Sequence, residues 1–234
     1  VGFQLSCYFT LDAGVLPLFE RVIPGGSRFV IPVGGDGLPA GWVLPTPWRL
    51  EYDLGGTPAM AGDVVDDAAV DAWRKAAGVP GTPDPLDAFD DLDLQLASLL
   101  SLAAPSGVVV IDDDTFGGLR FNEYAAVCVS GRLRAAGGID FADGGRGAGR
   151  AFELRDGAYH PVTPAEADPV TRCAAVLDRR FAGVSLFEGY LPRNAEPGFH
   201  RDRLPPADGP LRLPPGTVEE WGPYFPLLTR HHGG

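Results

Sequence analysis

A chain of 234 residues, 45% hydrophobic and 21% charged, is long enough to bury the core of one large domain. Its formal net charge of −12 argues against nucleic acid and anionic lipid as partners and favours cations or basic proteins. No stretch approaches the ~20 apolar residues of a membrane-spanning helix, and three separated cysteines without a C-x-x-C pair offer neither a disulfide framework nor a zinc knuckle, which points to a reducing cytoplasm.

The chain opens with strict alternation: Leu5, Cys7, Phe9 and Leu11 fall on one face, Ser6, Tyr8 and Thr10 on the other. Period two predicts a strand with one buried side. A short helix over Leu16–Val22 follows, stopped by Pro24-Gly25-Gly26, then strands over Arg28–Val33 and Trp48–Leu54.

Two acidic helices come next. Residues 51–100 hold eleven acidic side chains against two basic ones, Arg74 and Lys75, and so carry −9 of the total charge. The first helix spans Asp63–Ala77, with early acids, late bases and Gly78 as its stop. The second takes Asp84 as N-cap and Pro85 as first helical residue, and runs to a stop at Pro105 with Leu92, Leu96 and Leu99 on its buried stripe. Asp66, Asp67, Asp87, Asp90 and Asp91 are then the carboxylates expected on a solvated face, available to a basic protein partner.

A β-rich region begins at Gly107–Ile111, a compact apolar strand expected to end in an acidic turn at Asp112-Asp113-Asp114. Phe121–Val129 and Arg132–Ala136 flank Ser130-Gly131; Ala151–Arg155 and Ala158–Val162 flank Asp156-Gly157. Both dipeptides predict two-residue hairpin turns. The stretch Pro169–Ala182 reads as an amphipathic helix capped by Asp168. From Leu191 the last 44 residues hold nine prolines among scattered aromatics, which suits an extended arm better than helix or central strand.

The element order predicts an α+β fold: an antiparallel-rich sheet with about three packed helices over residues 1–190, and a proline-rich C-terminal arm over 191–234 lying on the domain or on a neighbouring subunit. No motif fixes a reaction. Carboxylates after a buried strand are a common setting for metal-assisted chemistry, so Asp112, Asp114 and Glu123, with His160 as acid–base group, form the candidate catalytic set. The glycine-rich run ending at Arg150 could wrap a phosphate between Arg146 and Arg150, but it does not match G-x-G-x-x-G. Two functions are therefore expected: a non-catalytic cytoplasmic module (an inhibitor or assembly subunit) that binds a basic protein, or a small-molecule enzyme such as a metal-assisted hydrolase. Cofactor, metal and oligomeric state are not specified by the sequence.

Overall fold

The alternating N-terminal segment forms β1 (Phe3–Thr10) in a computed structural model, which describes residues 3–23, 25–35, 37–47, 91–116, 119–141, 149–187, 190 and 191, with 72, 75 and 76. After β1 come α1 (Val15–Val22), β2 (Ile31–Gly35), β3 (Leu38–Pro45) and α2 (Asp91–Leu100). The remainder is β4 (Val108–Phe116), β5 (Leu119–Val129), β6 (Arg132–Asp140), β7 (Arg150–Arg155), β8 (Ala158–Val162) and α3 (Pro169–Leu177). The eight strands build one sheet in the order β2-β3-β1-β4-β5-β6-β7-β8, with every neighbouring pair antiparallel. The architecture is α+β.

Its chain path is economical. From β4 onward the strands form a simple meander, and among the described residues two tight turns carry positive φ at their two central residues: Ser130 and Gly131 at 52° and 75°, Asp156 and Gly157 at 51° and 78°. That pattern defines the type I′ turn, whose twist matches the strands it joins. Both edge strands contain a proline, Pro32 in β2 and Pro161 in β8. Proline interrupts a hydrogen-bond ladder and deters a further strand from adding there.

The core lies on both sides of the sheet. On one face α1 and α2 cover Tyr8, Leu44, Val108, Val110, Ala126 and Cys128. On the other, α3 covers Leu5, Cys7, Phe9, Val109, Ile111, Ala125 and Val127. Here Phe9, Phe181 and Tyr190 pack edge to face with centroids 5.2–5.6 Å apart, and the Tyr190 hydroxyl donates to the carbonyl of Pro39. The three cysteines are free and buried.

The polar face of β1 is buried as well, contrary to the expectation of one solvated side. With β1 third in the sheet and helices on both faces, neither side reaches water. Its polar groups are satisfied internally: Ser6 Oγ shares a hydrogen bond with Thr46 Oγ1 at 2.8 Å, Tyr8 donates to Asp93 and Thr10 donates to the carbonyl of Gly107. Helix α3 follows its sequence signal at the start, where Asp168 Oδ1 accepts from the N–H of Thr171 and Pro169 occupies the first turn, but it stops at Leu177, with a 3₁₀ turn over Arg179–Phe181. The strand expected over Trp48–Leu54, most of the helix over Asp63–Ala77, the start of the second helix and the arm beyond Leu191 lie outside the described residues.

Candidate functional site

The acidic run Asp112-Asp113-Asp114 is not a turn. Strand β4 continues through it to Phe116, because the run is paired on both sides, with Ser6, Leu5 and Gln4 of β1 and with Tyr124, Glu123 and Asn122 of β5. Alternation then sorts the carboxylates. Val108 and Val110 face α1 and α2, so Asp112 and Asp114 continue that face. Val109 and Ile111 face α3, so Asp113 and its cross-strand neighbour Glu123 continue the other, where both are buried.

The expected catalytic set is thus not brought together. Glu123 lies across the sheet from Asp112 and Asp114. His160 sits on β8, four strands away from β4, in register with Glu153 and exposed. Among the described residues no group of three or more His, Cys, Asp or Glu is placed to hold a metal ion.

Asp112 itself has unusual electrostatics. Its carboxyl is pushed up to about 6, first by burial and then by the negative charges of Asp114 and Asp113. A low-dielectric setting disfavours the ionised form, and like charges add to that penalty. A carboxyl titrating near neutrality can both give and take a proton.

Of the two arginines expected to hold a phosphate, Arg146 lies outside the described residues. Arg150, exposed at the start of β7, pairs with Asp140 at 3.0 Å. Asp66, Asp67, Asp87 and Asp90 also lie outside them, and Asp91 opens α2. Two residues further on, Asp93 is buried and accepts from Tyr8, so this member of the acidic stretch belongs to the interior.

A second polar cluster is one that sequence reasoning does not single out. Glu153 of β7 is 5% exposed and is held by two guanidinium groups. Arg155 donates from Nε at 2.9 Å and from Nη2 to Oε2, while Nη1 of Arg172, on α3, pairs with Oε1. Burying a carboxylate is costly unless it is paired in this way. Gly137 of β6 lies opposite Glu153, and a Cβ there would meet Pro169 Cβ at 3.3 Å, so the glycine lets α3 approach. The spacing Glu153-x-Arg155 places both side chains on one face of a strand, which is a readable signal; the arrival of Arg172 depends on tertiary structure. These residues border an open cavity of about 730 Å³ that Thr163 and Glu166 also line.

Set against known proteins, the chain matches no family model, no curated protein and no solved structure.

Proposed function

We propose that this chain is a cytoplasmic binding protein, an inhibitor or an assembly subunit, that recognises a basic protein partner through the acidic stretch between Glu51 and Leu100. The concentration of charge carries this reading: eleven acids against two bases within fifty residues. Such a surface speeds encounter with a basic partner and repels acidic ones. Asp66, Asp67, Asp87, Asp90 and Asp91 are the residues assigned to it, whereas Asp93 serves the interior. Three buried free thiols fit a reducing compartment.

The test is association kinetics. The full chain, immobilised, should capture a basic protein from extract of its source cells, with an on-rate that falls steeply as salt rises. Changing the five aspartates together to asparagine should slow association about tenfold or more. A complex indifferent to both salt and these substitutions would remove the proposal.

One observation favours a second reading, a small-molecule enzyme: the carboxyl of Asp112, poised near neutrality. Its metal-assisted form needs ligands from beyond the described residues. Loss of a measured turnover in Asp112→Asn, with the fold intact, is the result this reading requires.

A further inference from the structure

We propose that the cavity beside β7, β8 and α3 binds a small oxyanion, a phosphate or carboxylate group, between Arg155 and Arg172. The cavity is open and lined by both arginines. Each is half-exposed, with side-chain exposures of 54% and 50%, while the Glu153 carboxylate between them is almost fully buried. One carboxylate therefore fixes two cations, and the trio carries a net positive charge.

The geometry is preorganised. An arginine has five N–H donors in a planar fork. Arg155 commits Nε and Nη2 to Glu153, and Arg172 commits Nη1; among the described residues their other N–H groups have no protein acceptor. Two clamped forks with spare donors, both on residues that line one concavity, suit an oxyanion, which accepts several charge-assisted hydrogen bonds at once. Thr163 also lines the rim, its hydroxyl proton already given to Glu166, and Val162 and Pro161 supply an apolar wall.

Glu166 opposes binding. Its carboxylate lines the same cavity, accepts from the Thr163 hydroxyl at 2.6 Å and is held below its ordinary range by that bond. It stands where an incoming anion would meet repulsion, which makes it the informative residue to change.

The experiment titrates the full chain with inorganic phosphate, acetate and, at matched ionic strength, chloride, following the side-chain Nε–H signals of Arg155 and Arg172 by NMR. Saturable shifts of both signals with phosphate or acetate, exceeding those with chloride, are expected; a response to phosphate alone identifies the ligand as phosphate, and a response to both identifies an oxyanion in general. Glu166→Gln should tighten binding about two- to fivefold, the worth of one exposed charge pair. Arg172→Gln should abolish the shift at Arg155, but it also strips a partner from buried Glu153, so Glu166→Gln, which leaves the trio intact, is the decisive variant. Shifts no larger than those with chloride, or affinity unchanged by Glu166→Gln, would overturn the assignment. Neither outcome bears on the acidic surface proposed for the protein partner.

Discussion

The Tyr8 hydroxyl donates to Oδ1 of Asp93 at 3.1 Å, tying the central strand β1 to α2 inside the core. Tyr8 is inaccessible and Asp93 nearly so. A carboxylate at this depth owes part of its tolerance to such donors. Tyr8→Phe keeps the ring and deletes the donor, so it should cost about 1–2 kcal/mol, the penalty for a hydrogen bond lost by a buried group. In a chain of this size that lowers Tm by about 2–8 °C. Thermal unfolding measures it directly, and an unchanged midpoint would show that the contact contributes nothing.

Helix α2 also holds the β5–β6 turn. Ser101 Oγ accepts from the N–H of Gly131 at 2.8 Å and donates to the carbonyl of Ser98, while Ser98 Oγ donates to the carbonyl of Gly131. All three residues are buried. Ser101→Ala removes the acceptor and should destabilise the fold by about 1–3 kcal/mol, as expected for a buried N–H left without one. Amide hydrogen exchange gives the local readout: the Gly131 N–H should lose protection relative to strand amides such as Val127. Equal protection in both proteins would contradict this role.

Gly107 offers a third check. Its φ is +108°, and a Cβ there would lie 2.8 Å from the carbonyl oxygen of Cys128 and 2.9 Å from Val129 Cγ2. Its own carbonyl accepts from Thr10 at 2.8 Å. Backbone cannot yield as a flexible side chain can, so Gly107→Ala combines a disfavoured φ with a steric clash and should cost about 2–4 kcal/mol. Denaturant unfolding should show a lower midpoint with an unchanged slope.

How much of this is legible in the sequence depends on whether the signal is local. Asp156-Gly157 and Ser130-Gly131 are readable because a type I′ turn demands positive φ at both positions, and the Asp168–Pro169 helix start because capping is set within one turn. Strand β3 is hidden: Leu38–Pro45 contains Pro39, Gly41 and Pro45, and reads as loop until its pairing with β1 and β2 supplies the reason to extend. The aspartates of β4 mislead similarly, since low strand propensity points to a turn while ladders on both sides keep the backbone extended. The Glu153–Arg172 contact joins a strand to a helix and leaves no pattern in the intervening residues.

The acidic run in β4, buried at Asp113 and partly buried at Asp112 and Asp114, also makes stability depend on pH in a direction that can be worked out. The Asp112 carboxyl rises from 3.8 to about 6 in the folded chain, through burial first and the charges of Asp114 and Asp113 second. The folded state therefore holds this proton more tightly than the unfolded state does. Stability rises with pH only where the unfolded chain binds more protons. Here the folded chain binds more, so the contribution is favourable at low pH and is lost as pH climbs between those two values. Asp112→Asn keeps the size of the side chain and abolishes the ionisation. At about pH 7.5 it should stabilise the protein by about 1–3 kcal/mol, given that each tenfold change in proton affinity is worth about 1.4 kcal/mol. Near pH 4 the two proteins should melt almost together. The measurement is the gap between their Tm values across that range: it should open as Asp112 ionises, and a gap of constant size would mean that Asp112 loses its proton as readily in the folded chain as in the unfolded one.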